Sequence, residues 1–217
     1  MHKVVIGNAE LYHADCLDVL PNLPQACLVI ADPPYGIGES NAKAASRGKL
    51  AAPIDYGSFD WDKQPASPEQ IAATIAAGKH CIIWGGNYFD LPPQPGWLTW
   101  DKMNGGNDFA DCELAWSNLP IAARLFRHMW NGMLRDSERN EPRVHPTQKP
   151  IALMKWCITK RKEMPKLIVD PFAGSGPVGV ACMDMGIKYI GIEKMKRNFD
   201  ILCERIDRAQ QQFKLAL

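Results

Sequence analysis

Val169-Asp170-Pro171-Phe172-Ala173-Gly174-Ser175-Gly176-Pro177-Val178-Gly179 is the stretch from which the fold class is read. The apolar run Leu167 to Val169 stops at a charged residue and a proline, as a buried strand does. Gly174 and Gly176 permit backbone angles that other residues resist. Pro177 stands where a helix tolerates proline, at its start, and segment 177–185 carries helical patterning. The pattern repeats outward from this turn. Leu28 to Ala31 ends at Asp32-Pro33-Pro34, Cys81 to Trp84 ends at Gly85-Gly86, and Tyr189 to Ile192 ends at Glu193. Leu11 to His13 and Trp97 to Trp100 are further strand candidates, and segments 67–78, 151–161 and 195–213 are helical in pattern. Strands alternating with helices predict an α/β fold with a largely parallel sheet. Residues 36–63 and 131–147 show no sustained period and read as long loops, which in compact domains are functional or mobile. The chain of 217 residues is read as one domain, with no internal repeat and no domain boundary.

In open parallel sheets, ligands bind beyond the carboxyl ends of the strands. Asp32, Gly85, Asp170 and Glu193 are therefore expected along one edge. The spacing Gly174-x-Gly176-x-x-Gly179 fits a dinucleotide fingerprint. Glu193, ending the next strand, is placed to accept hydrogen bonds from ribose hydroxyls. The pair points to a nucleoside-containing cofactor, whereas the glycines alone are satisfied by a tight turn with no ligand. It does not separate a nicotinamide dinucleotide from S-adenosylmethionine. Pro177 leans against the dinucleotide, because it removes an amide from the pyrophosphate cradle.

Asp32-Pro33-Pro34-Tyr35 carries more specific chemistry. The exocyclic nitrogen of adenine is a poor nucleophile, since its lone pair is delocalised into the ring. A catalyst must hold both amino hydrogens so that the lone pair turns toward an incoming methyl group. The Asp32 carboxylate accepts one hydrogen bond and the Pro33 carbonyl the other, while the two prolines bring no competing donors. Tyr35 is expected to stack on the base. Positioning then supplies the catalysis, with no covalent enzyme intermediate. The plainer alternative is a structural proline turn with Tyr35 in the core.

Together these motifs resemble the amino-methyltransferases of DNA. The turn at Asp32 precedes the turn at Asp170, which resembles the circularly permuted beta class. His145-Pro146-Thr147-Gln148-Lys149-Pro150 is a third similarity, and in that family the segment helps bind the methionine end of the cofactor. His13-Ala14-Asp15-Cys16 resembles the segment lining the cofactor's adenine, although Asp15 equally suits a helix N-cap. The segments Trp84 to Phe89, Leu98 to Lys102 and Asp111 to Trp116 are softer similarities, expected to shape the base pocket and the sheet.

The resemblance implies a three-layer α/β/α Rossmann-like S-adenosylmethionine-dependent methyltransferase fold with seven strands. It puts the strand at 167–169 centrally, beside the one ending at Asp32. It assigns the catalytic role to Asp32, Pro33, Pro34 and Tyr35. Cofactor binding falls to Asp15, Cys16, Asp32, Thr147, Gln148, Lys149, Asp170, Pro171, Phe172, Ala173, Gly174, Ser175, Gly176, Glu193 and Lys194. Aspartate at the head of the first motif resembles adenine enzymes, where cytosine enzymes more often carry serine. Double-stranded DNA is the implied partner, with the target base flipped into the pocket. The same resemblance suggests a homodimer and a bacterial or phage source, a cognate restriction enzyme stays open, and a cytoplasmic location is the default expectation for a sequence without a membrane-length or signal-like apolar run.

Composition agrees with a globular chain: 46% hydrophobic and 23% charged residues. No apolar run approaches membrane-spanning length, and the stretch after Lys3 is too short for a signal peptide. The seven cysteines form no Cys-x-x-Cys pair, so no zinc or redox motif is indicated and buried free thiols are expected. Net charge is only +1, but residues 119–166 are locally basic. Arg124, Arg127, Arg135, Arg139 and Arg143 in 119–145 form the expected DNA-recognition segment, and the loop 36–63 leads out of the catalytic turn. Competing readings are an RNA or protein-glutamine methyltransferase, a silent DNA-binding homologue and a nicotinamide oxidoreductase. The last leaves the turn at Asp32 unexplained.

Overall fold

The structure is a computed structural model that describes residues 1–37, 64–105, 110–131, 134–139 and 148–215. Strands β1 (His2–Ile6) and β2 (Ala9–His13) form a hairpin, followed by the one-turn helix α1 (Cys16–Val19) and β3 (Leu28–Ala31). Helix α2 (Pro68–Ala76) leads to β4 (Cys81–Trp84), β5 (Gly96–Asp101), β6 (Cys112–Ser117) and β7 (Arg124–Arg127). A small hairpin, β8 (Trp130–Asn131) and β9 (Leu134–Arg135), precedes α3 (Ile151–Ile158). The chain closes with β10 (Leu167–Asp170), α4 (Pro177–Asp184), β11 (Lys188–Glu193) and α5 (Lys196–Leu215).

The main sheet runs β1-β2-β11-β10-β3-β4-β6-β5-β7. Its centre, β2-β11-β10-β3-β4, is parallel, and β6 is antiparallel to both neighbours. All four residues of β3 and of β4 are buried. Such strands read as continuous apolar runs because both sheet faces are covered. Alternate residues enter two separate cores. Leu28, Ile30, Ile82, Trp84 and Ile168 join α3, α4 and α5 on one face. Val29, Ala31, Cys81, Ile83 and Val169 join α1 and α2 on the other. The result is the expected three-layer α/β/α arrangement.

The strand count differs from the expected seven. Seven strands, β2 to β5 in sheet order, form the body, and β1 and β7 add one edge each. Both edges are poorly covered: β1 and β7 have mostly exposed residues, so neither shows a buried strand's pattern. The cysteines are free thiols as expected, but only some of them are buried. Cys16, Cys81, Cys157 and Cys182 are buried, Cys27 and Cys203 are half-buried, and Cys112 is exposed. Among the described residues no helix is long and apolar enough to cross a membrane.

Candidate active site

Two strand ends meet because β10 pairs in parallel with β3, Ile168 opposite Leu28 and Val169 opposite Val29. The turns after Asp32 and Asp170 therefore open into one cleft of about 700 Å³. That volume lies in the range of small-molecule sites.

On the β10 side, the chain itself organises the glycine turn. The Asp170 carboxylate accepts from the Phe172 amide at 3.1 Å and from the Tyr189 hydroxyl at 3.3 Å. Burial pushes the Asp170 carboxyl up to about 8 against the pull of the Phe172 amide, and the nearby Asp32 charge adds to the rise. Glu193 ties the two strand ends together: its carboxylate accepts from the Gly174 amide at 2.8 Å and the Met195 amide at 2.6 Å. Burial raises the Glu193 carboxyl, and these amides offset part of that. Gly174 takes φ +52°, which favours glycine.

Gly176 does not line the cleft. It starts α4 at φ +81°, where an added Cβ would stand 2.5 Å from a Leu202 methyl. Asp15 caps α1 through the Leu17 amide at 3.1 Å and also meets the Lys194 ammonium at 3.0 Å, so the N-cap and the cleft wall are one residue. Burial pushes the neighbouring Cys16 thiol up to about 12.

On the β3 side, Asp32 uses both carboxylate oxygens. One accepts from the Tyr35 hydroxyl and the other meets the Lys149 ammonium, each at 2.5 Å. The Tyr35 ring stacks on Tyr88, with centroids 5.0 Å apart and planes at 16°. Gly85 sits against the same ring, since a Cβ there would fall 2.1 Å from a Tyr35 ring carbon. Gly85, directly after β4 on the same sheet edge as Asp32, thus seats Tyr35 and does not itself line the cleft.

Lys149 is buried at 4% exposure and reaches the Tyr35 oxygen at 3.2 Å and the Glu113 carboxylate at 3.3 Å. Lys102 closes the far side of Glu113 at 2.6 Å. Burial alone would raise the Glu113 carboxyl, but Lys149 and Lys102 hold it down at about 2. Burial alone would lower Lys149, but Asp32 and Glu113 hold it above its ordinary value.

The cleft gathers Asp15, Cys16, Asp32, Pro33, Pro34, Tyr35, Gln148, Lys149, Asp170 to Ser175, Glu193 and Lys194. Thr147 lies outside the described residues, as do 38–63 of the loop beyond the catalytic turn and Arg143. In the basic segment Arg124, Arg127 and Arg139 are exposed, but the Arg135 guanidinium packs 5.3 Å from the centre of the Trp130 ring.

Four contributors escaped the sequence reading as site residues. Glu113, Lys102 and Tyr88 lie in segments recognised only as pocket-shaping. Arg205, on α5, donates to the Ser175 carbonyl at 2.7 Å and lies 3.7 Å from Glu138. Only an opposed-charge pattern across β5 and β6 would have flagged the first two.

Comparisons with known proteins agree with this architecture. The Type II methyltransferase M2.LlaDCHI of Lactococcus lactis subsp. cremoris is 25% identical over 246 residues, covering 93% of this chain and 90% of that protein. The Type II methyltransferase M2.DpnII of Streptococcus pneumoniae is 24% identical, covering 91% and 89%. Among solved structures, the M1.HpyAVI–SAM complex superposes with a TM-score of 0.53 at 22% identity, covering 91% of this chain and 99% of that one. The cytosine-N4-specific PvuII DNA methyltransferase reaches 0.57 at 15% identity, covering 97% and 93%. These likenesses place the fold with that of DNA methyltransferases. The N6_N4_Mtase model, described as DNA methylase, matches residues 96–204, half of the chain, and the protein belongs to that family of DNA methylases.

Proposed function

We propose that this chain transfers a methyl group from S-adenosylmethionine to the exocyclic N6 amino group of an adenine flipped out of double-stranded DNA. The observation that carries the reading is the opening of the turn at Asp32 into the same cleft as the Asp170–Gly174 turn and Glu193. Nucleophile and methyl donor would there be held side by side, which is what this chemistry needs.

The residues present fit the cofactor. Small residues at Ala173 and Gly174 let a ligand approach the main chain, and the buried Glu193 carboxylate stands at the strand end where ribose hydroxyls are bound in this fold type. Asp15, Cys16, Phe172 and Lys194 line the adjoining wall, with Gln148 and Lys149 toward the Asp32 side. S-adenosylmethionine supplies an electrophilic methyl group when bound. Asp32 accepts a hydrogen bond from the amino group and the Pro33 carbonyl accepts the second, turning the nitrogen lone pair toward the methyl carbon. Tyr35 is the stacking surface for the base. The exposed arginines of 119–145 contact phosphates or base edges, and the whole chain acts as one methyltransferase domain.

The relatives' designation as Type II methyltransferases supports a restriction–modification setting. Aspartate at position 32 favours adenine. A cytosine-N4 reading has one observation in its favour, the likeness to the PvuII enzyme. Mass spectrometry of nucleosides, after incubation of the protein with unmethylated DNA and labelled S-adenosylmethionine, decides between them. 6-Methyladenine is the expected product. 4-Methylcytosine would overturn the base assignment, and no labelled nucleoside would overturn DNA as substrate.

A further inference from the structure

We infer that Glu113, backed by Lys102, is a positioning residue that fixes the Asp32 carboxylate through Lys149. The inference rests on the methyl-transfer reading above and deepens it. Asp32, Lys149, Glu113 and Lys102 alternate in sign along one chain of contacts, at 2.5, 3.3 and 2.6 Å. Formal charge along the chain sums to zero, so the buried Lys149 ammonium is compensated on both sides. A buried ion with one partner removed is strongly destabilised. Glu113 therefore does more than decorate the wall.

The supports are rigid. Glu113 stands on β6 opposite Trp100 of β5, and the Lys102 amide donates to the Asp111 carbonyl at 2.9 Å. Lys149 enters from the segment before α3, with its ammonium 5.8 Å from the centre of the Trp84 ring. The Asp32 side chain itself is a third exposed. Its two oxygens have different anchors, the Tyr35 hydroxyl and Lys149. Both anchors meet at Lys149, since its ammonium also donates to the Tyr35 hydroxyl at 3.2 Å, and Lys149 is in turn held by the Glu113 carboxylate from outside the turn. Neutralising Glu113 leaves Lys149 with one anion, frees it to shift, and releases the carboxylate from the direction in which it must meet an amino hydrogen. Misplacement on the scale of 1 Å is enough to cost rate.

The test is Glu113→Gln, with Lys102→Met as a second variant acting from the far side and Glu113→Asp as the conservative one. Turnover on DNA, KM for DNA and calorimetric affinity for S-adenosylmethionine are measured for each, with thermal melting as the folding control. The expected result is a kcat loss of roughly 10- to 100-fold for Glu113→Gln, with cofactor affinity within about 3-fold and partial recovery in Glu113→Asp. A second signature is the pH profile. Lys149 is faced by Asp32 from the β3 turn, Glu113 from β6, the Tyr35 hydroxyl, the Cys157 thiol on α3, and Lys102 behind Glu113. Removing the Glu113 anion lowers the Lys149 pKa, so the alkaline limb of kcat moves to lower pH.

Unchanged kcat in Glu113→Gln, or a loss confined to cofactor affinity, would overturn the inference. If Glu113→Gln fails to fold, the same criteria apply to Lys102→Met. Failure of the parent reading looks different, since the unaltered protein would then yield 4-methylcytosine or no methylated nucleoside at all.

Discussion

Replacing Arg205 with methionine tests how the glycine turn is held from behind. The guanidinium donates to the Ser175 carbonyl at 2.7 Å and to its hydroxyl at 3.3 Å, and it stands 3.7 Å from Glu138. Glu138 in turn accepts from the Ile151 amide at 2.9 Å, at the first residue of α3. The two side chains are only 10% and 7% exposed, so solvent screens the pair little. Removing one member of a buried pair costs about 3–5 kcal/mol. The 3.7 Å separation is long and Glu138 keeps the Ile151 amide, which puts the expected loss near the lower end, about 3 kcal/mol. Methionine retains an apolar stem, so the loss reports the guanidinium and not the packing. In a chain of this length each kcal/mol moves Tm by roughly 2–4 °C, which predicts a fall of roughly 6–12 °C in a calorimetric melt. Glu138→Gln alone should fall less, and the double variant should lose less than the two singles summed. A fall under about 2 °C, or simple additivity, would refute the view that this pair braces the turn.

Four further outcomes are expected. Asp32→Ala should abolish turnover while calorimetry shows cofactor affinity largely kept, and retained activity would remove Asp32 from the reaction. Gly85→Ala forces a Cβ into the Tyr35 ring at a φ of +67°, so turnover should fall at least about 10-fold, and a crystal structure should show Tyr35 displaced from Tyr88. Glu193→Gln substitutes an amide for a carboxylate that accepts from two main-chain amides; cofactor affinity measured by calorimetry should drop by about 10-fold or more, the scale of a hydrogen bond to a charged group. Asp170, with its carboxyl raised to about 8 in the folded chain, disfavours folding once ionised. Its contribution is fully present below the unfolded value near 4 and is lost as pH rises toward 8. Urea unfolding of the unaltered chain should weaken across that window, and Asp170→Asn should flatten this part of the curve.

The elements legible in the sequence were those buried on both faces. Leu28–Ala31 and Cys81–Trp84 were read with their observed limits, because a central parallel strand must be apolar throughout. β1 and β7 were not read, since an edge strand has one uncovered face and a free side, and their burial patterns mix exposed with half-buried residues. The hairpin of β1 and β2 nonetheless carries a local signal, Gly7-Asn8 between two extended runs, with Gly7 at φ +54°. β6 was hidden differently. It runs antiparallel inside an otherwise parallel region, and among the described residues no helix precedes it to announce a strand.

The site divided along the same line. Residues at strand ends could be placed together from periodicity and the geometry of open sheets, and Asp32, Asp170 and Glu193 do share the cleft. Residues whose role depends on a partner distant in sequence could not. Lys149 illustrates the difference. The resemblance implies a place for it at the methionine end of the cofactor, and nothing in the sequence points to the contacts its ammonium makes with Asp32, Glu113 and the Tyr35 hydroxyl. A charge pattern becomes visible only after register is known, because Lys102 and Glu113 are brought together by the pairing of β5 with β6 and Lys149 arrives from beyond both. The family match covers 96–204 and so contains Lys102, Glu113 and Lys149 but not Asp32. The turn at Asp32 joins them only because β3 lies between β10 and β4, beside the strands that carry the rest. Permuted motif order is harmless for that reason: the chemistry needs neighbouring strand ends, and the sheet supplies them whichever turn comes first.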